Sequence, residues 1–295
     1  MGGLKHLSRG IEMQLFTYSI LSWAIPAGGI LVILAYAFIL WMLGDRARAR
    51  EHMVTAFMVA MTIIAIGGAY VLGNLVIKSV SNQSISIDDA WSVNTLNDTA
   101  DRFDKIYRKA VDWVVYIRAV QASTGLIPVV GYPISQAVQA STFWQNRVFT
   151  FASTTFLALE WFTMILMYLH PWLLLFGAGL ASLPRFRAIG GVLLSIYLVM
   201  GATVVLLSYY AYNYIFYPGS IVYKAPSAKD IASNPICYGI SSVGGVTSIA
   251  SDADGAANLF MKATMLAIVV TLLAGVLTAG ISRIFEGIPV MFRPI

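Results

Sequence analysis

Five apolar runs limit what this chain can fold into: Leu15 to Leu43, Met53 to Ile77, Val148 to Leu183, Ile189 to Phe216 and Leu259 to Ile284. A helix of about 20 apolar residues matches the ~30 Å hydrocarbon core of a bilayer. Within lipid, only helices and closed barrels satisfy their own backbone groups. The expected fold is therefore all-α, a polytopic transmembrane helix bundle forming a single integral membrane domain over residues 1–295. Composition agrees, because 58% of the 295 residues are hydrophobic and 11% are charged, against about a quarter charged in a soluble domain. The mean hydropathy is +0.75. Such a chain is expected to be an integral multi-pass membrane protein, with lipid as its first partner.

Arginines set the orientation. Arg46, Arg48 and Arg50 lie between the first two runs, Arg185 and Arg187 between the third and fourth, and Arg283 near the end of the fifth. Cytoplasmic loops are enriched in Lys and Arg. That rule gives five crossings, with the N-terminus outside and the C-terminus cytoplasmic. The same bias accounts for the net charge of +5 and a pI near 9.3 without invoking nucleic acid. In L-P-R-F-R-A-I-G-G, Pro184 ends one helix, and Gly190 and Gly191 let the next start close to a neighbour. Pro171 to Leu183 is only about 20 Å long as a helix, too short to cross alone. Val148 to Leu183 thus counts as one crossing, with a break at Pro171 as an option. A seven-crossing alternative needs the proline-interrupted middle to span twice.

Two polar stretches, 78–112 and 217–257, are expected as outside loops. Both N-x-S/T sequons, at Asn82 and Asn97, fall in the first and mark possible glycosylation. In the second, S-I-V-Y and G-V-T-S-I look like short strands. Tyr209, Tyr210, Tyr212, Tyr214 and Tyr217 form an interfacial aromatic belt at the end of the fourth run. Residues 106–145 read as amphipathic or re-entrant. Ile106, Ala110, Trp113, Val114 and Ile117 share one helical face, and Pro128 and Pro133 interrupt the apolar stretch after it. Small residues recur every four positions at Ala65, Ala69 and Gly73, and at Ala263, Ala267, Thr271, Gly275 and Ala279. Both stripes are expected to be helix-packing surfaces.

The chemical inventory points away from an enzyme. There is no G-x-S-x-G, no H-E-x-x-H and no Walker A loop. Cys237 is the only cysteine, and His6, His52 and His170 lack metal-ligand spacing, so no cofactor is expected. Asp252 and Asp254 lack the rest of a calcium loop. Glu160 is the one acid well inside a spanning run. A charge at the centre of a span costs roughly 2.5–3.5 kcal/mol on insertion scales. Glu160 should therefore face the bundle, a water path, or a cation such as Arg118 or Arg147. An ion pathway and a structural polar contact both fit it. An ion or small-molecule transporter and a non-conducting scaffold for a surface appendage are accordingly alternative functions.

The run P-W-L-L-L-F-G-A-G-L-A-S-L-P-R-F-R-A-I-G-G-V-L-L-S-I-Y-L-V-M-G, Pro171 to Gly201, resembles the apolar segment, arginine turn and glycine-led helix of the CedA-type membrane proteins of crenarchaeal DNA import. That family is similar to the polytopic inner-membrane channel component of bacterial conjugation and type IV secretion. The resemblance covers about Pro171 to Phe216, and beyond that it is one of topology. It implies an oligomeric channel that passes single-stranded DNA. Small pilin-like membrane subunits and a separate ATPase would work beside it. By position, Arg102, Lys105, Arg108, Lys109, Arg118 and Arg147 would supply positive charge along the substrate path.

Overall fold

A computed structural model describes residues 28, 30–57, 60, 90–125, 131–182, 186–233 and 246–287. Its elements are α1 (Ile30–Met42), α2 (46–57), α3 (Val93–Gly125), α4 (Gly131–Ser182), α5 (Arg187–Ile215), a 3-10 turn (Ile221–Lys224), α6 (Ala228–Ser233) and α7 (Val246–Gly287). No strand occurs among the described residues. Three helices are long and apolar enough to cross a membrane: Gly131–Ala181, Ala188–Ile215 and Ile249–Arg283. Of the first two expected crossings, one is described only from residue 28, where it holds α1, and most of the other lies outside the described residues.

Several expectations need correction. Within the stretch expected as an outside loop, residues 93–112 form the first part of α3. Neither stretch expected as strand is one: Ile221–Lys224 is a 3-10 turn, and Val246 opens α7. Residues 131–145 are the start of α4. At 52 residues, α4 is about 78 Å long, so a core of ~30 Å holds less than half of it.

Pro171 does not break α4. Proline removes the N–H that would bond the carbonyl four residues back, which is that of Met167. His170 Nδ1 lies 2.8 Å from the Met167 oxygen. A carbonyl only accepts, so Nδ1 carries the proton, and the histidine serves the group its neighbour abandons.

The described chain divides into two compact units. One draws on Met1–Val93, Ile165–Thr203 and Leu272–Ile295, and the other on Asn94–Met164 and Val204–Thr271. In the first, Asp45 caps α2 by accepting the Arg48 N–H at 3.3 Å. Tyr36 of α1 and His52 of α2 meet edge to face at 5.0 Å. The α4–α5 contact is close: a Cβ at Gly190 would overlap the backbone of Ala181, as the glycine pair in the sequence leads one to expect. Beside it, Ala181 and Leu194 are buried against Leu174 and Ile281. Trp91 stacks on Tyr197 at 4.9 Å and on His170 at 5.7 Å. Its indole N–H donates to the Tyr197 carbonyl at 2.8 Å. Gly201 makes the slot, since a Cβ there would collide with the indole.

The second unit is organised by α3. Leu96, Thr99, Phe103, Ile106, Ala110, Trp113, Ile117, Val120 and Thr124 are all buried, at alternating three- and four-residue steps. That 3.5-residue period is the seam of a helix packed lengthwise on its neighbours. Phe103 meets Phe156 of α4 at 6.1 Å, Trp113 stacks on Phe149 at 5.5 Å, and Phe149 meets Phe260 of α7 at 5.4 Å. Beyond them, Val120, Val138 and Ile249 close the core.

On α7, Ala263 and Ala267 are buried, but Thr271, Gly275 and Ala279 are exposed, while Ala274 and Thr278 are buried instead. A step of four residues turns a helix through 400°, so a strict four-residue stripe drifts about 40° per step. Ala263 and Ala279 therefore stand on nearly opposite faces. Buried hydroxyls satisfy themselves locally: Thr264 donates to the Phe260 carbonyl, Thr278 to that of Ala274 and Ser195 to that of Gly191. Large apolar side chains such as Trp161, Tyr168 and Trp172 on α4, and Leu272, Val276 and Leu277 on α7, face outward. A lipid-facing surface needs that arrangement.

Candidate functional site

The seam of α3 leaves two charged stripes on its flank, both within the second unit. The first holds Asp101, Asp104 and Arg108 at steps of three and four. Arg108 Nε donates to Asp104 at 2.8 Å. The neighbouring carboxylate raises the pKa of the exposed guanidinium above its ordinary value, first through that hydrogen bond and then through its charge. Glu160, half-buried on α4, is within electrostatic reach of Asp104, Arg108 and Asp101 of this stripe. The expected partners Arg118 and Arg147 are not among them.

The second stripe is Arg102, Lys105, Lys109 and Asp112. The Arg102 guanidinium lies over the Tyr209 ring, 5.7 Å from its centroid, and the Lys105 ammonium over Tyr212 at 5.9 Å. Tyr212 packs on Phe216 at 4.7 Å, and Phe216 on Tyr223 at 5.8 Å. The tyrosine belt at the end of α5 is thus fitted with cations from α3.

Lys109 has another job. It is mostly buried, donates to the Ala225 carbonyl at 2.7 Å and pairs with Asp112 at 3.6 Å. Asp112 in turn accepts the Ala228 N–H at 2.8 Å, at the first residue of α6. Trp113 adds an indole N–H to the Val222 carbonyl at 3.2 Å, and Lys224 pairs with Asp252 of α7 at 2.7 Å. These bonds clamp the segment between α5 and α6 onto α3 and α7, so Lys109 is a structural strut.

Arg118 is exposed and ion-paired with no carboxylate among the described residues. Arg147 is exposed with its guanidinium 5.3 Å from the centroid of Phe143, and Phe143 and Trp144 are themselves exposed. On α7 and α4, Asp254 accepts from Gln145 Nε2 at 3.4 Å, while Gln145 Oε1 and Asn146 Oδ1 are buried without a partner among the described residues. Arg46, Arg48, Arg50 and Arg283 are exposed, and Arg48 pairs with Asp45 at 3.5 Å. Arg187 opens α5. Asn97 is exposed near the start of α3. Arg185, Asn82, Ala65, Ala69, Gly73 and Cys237 lie outside the described residues. No group of three or more potential metal ligands comes together among the described residues.

Sequence reasoning missed the Glu160–α3 relation and the Lys109–Asp112–Ala228 clamp. Lys109 and Asp112 at i, i+3 were the available local signal for the clamp; their backbone partners more than a hundred residues away left none. No protein-family model, no characterised protein and no solved structure matches the chain.

Proposed function

We propose that this is a multi-pass plasma-membrane protein, with five crossings, the N-terminus outside and the C-terminus cytoplasmic. In this reading it works as a channel or translocation subunit of a conjugation-like DNA-import machinery, in an oligomer with small pilin-like subunits and a separate ATPase. The observation that carries the reading is Arg147 over Phe143 with Trp144 exposed beside it. If the arginine turn at 185–187 marks the cytoplasmic interface, about 20 residues of α4 fill the hydrocarbon core. Phe143 to Arg147 then stand in water, where exposed rings and a cation with no ion pair among the described residues suit stacking and phosphate contact along a single strand. Arg118, with no ion pair among the described residues, adds a second cation to the same unit.

DNA transfer into a strain lacking the gene tests the reading: import should fall and return with the wild-type gene, and unchanged import would sink it. Glu160→Gln separates the alternative of a solute transporter, since it should abolish solute flux there but leave DNA import intact. Orientation is checked by labelling Ser92→Cys and Phe186→Cys in a Cys237-free background, which should react from opposite sides of the membrane.

A further inference from the structure

We propose that Arg102 and Lys105, each held over a tyrosine of α5, form a binding site for the phosphate headgroup of an anionic membrane lipid. The inference rests on α5 crossing the membrane and not on what the chain transports.

Three observations converge. The first is depth. Tyr209 and Tyr212 lie 22 and 25 residues beyond Arg187, about 33 and 38 Å along the helix at 1.5 Å per residue. With Arg187 at one interface, a core of ~30 Å inside a bilayer of about 40–45 Å puts both rings at the opposite headgroup layer.

The second is the state of the charges. Asp104 is taken by Arg108, and Asp112 by Lys109 and the Ala228 N–H. Arg102 and Lys105 have no ion pair among the described residues, and Asp98, one turn earlier, forms none with them. Two cations on one stripe are thus left for an external anion.

The third is preorganisation. Each cation is already positioned by a ring face, which lowers the ordering cost of closing on a phosphate. Lys105 is exposed and Arg102 half-exposed, so the site is open to a headgroup. A nucleic acid would bring phosphates too, but the depth of the rings favours lipid.

The test uses the full chain purified in detergent, with native mass spectrometry against phosphatidylglycerol and phosphatidylcholine of matched acyl chains. Each cation near an anionic surface adds roughly a fivefold preference, so phosphatidylglycerol should be retained by about 25-fold. Arg102→Gln with Lys105→Gln should remove that preference. Arg102→Lys with Lys105→Arg should keep it, which separates loss of charge from loss of fold. Arg118→Gln with Arg147→Gln should also keep it. The proposal is overturned if the wild type shows no preference, or if the Arg102→Gln, Lys105→Gln protein retains it. It is equally overturned if the charge-preserving pair loses it, if the Arg118, Arg147 pair abolishes it, or if an oligothymidylate strand displaces phosphatidylglycerol.

Discussion

His170 donates its Nδ1 proton to the Met167 carbonyl at 2.8 Å, the acceptor that Pro171 leaves without a backbone donor. The pair explains how a proline sits inside an unbroken α4. His170→Phe keeps a ring against Trp91 and removes the donor, so it should destabilise the protein by about 1–3 kcal/mol, the cost of an orphaned buried carbonyl. Adding Pro171→Ala restores the backbone N–H and should recover much of that loss. Unfolding in detergent reads both; absence of rescue would mean the histidine acts by packing alone.

The clamp on α3 makes a local prediction. Asp112→Ala strands the Lys109 ammonium and the Ala228 N–H together. The segment 217–233 should open, with faster amide exchange and protease cutting there, while the α4–α7 core stays protected. Lys224→Ala breaks a largely exposed ion pair and should change stability by less than about 1 kcal/mol.

Tyr116 supplies a pH dependence. Burial raises its phenol pKa, and the charge of Asp252 raises it further. The folded state therefore holds this proton more tightly than the unfolded chain, whose tyrosines titrate near pH ~10. Its contribution to stability is complete below that pH and is lost as pH climbs through the raised value. The difference in phenolate absorbance between wild type and Tyr116→Phe should show a late titration, and Asp252→Asn should bring it earlier. A midpoint at the ordinary value would contradict this.

The packing of α7 gives a contrast between two alanines. Ala267 is 1% exposed, whereas Ala279 is open. Ala267→Leu should cost about 1–3 kcal/mol by overpacking. Ala279→Leu should stay within about 0.5 kcal/mol. Thermal unfolding of the two variants in detergent decides it, and equal losses would restore the four-residue stripe.

That contrast shows where the sequence could be read and where it could not. The apolar runs announced α4, α5 and α7 because length and hydropathy are properties of the chain alone. The face of Ile106, Ala110, Trp113 and Ile117 announced α3's seam for the same reason. Gly190 was legible because a glycine pair after a turn has few other uses. Glu160 was not, since Asp104 and Arg108, whose charges reach it, lie more than fifty residues away in the chain. Lys109 and Arg147 looked alike as cations, and only folding made one a strut and left the other exposed over Phe143.

The central claim is that imported DNA passes along the outer part of α4. A photoreactive residue in place of Trp144, in a strain where it restores import, should crosslink to the incoming strand. The same residue in place of Leu272 on α7's outward apolar face should not. Restored import with no strand trapped at position 144, or equal trapping at both positions, would contradict the account.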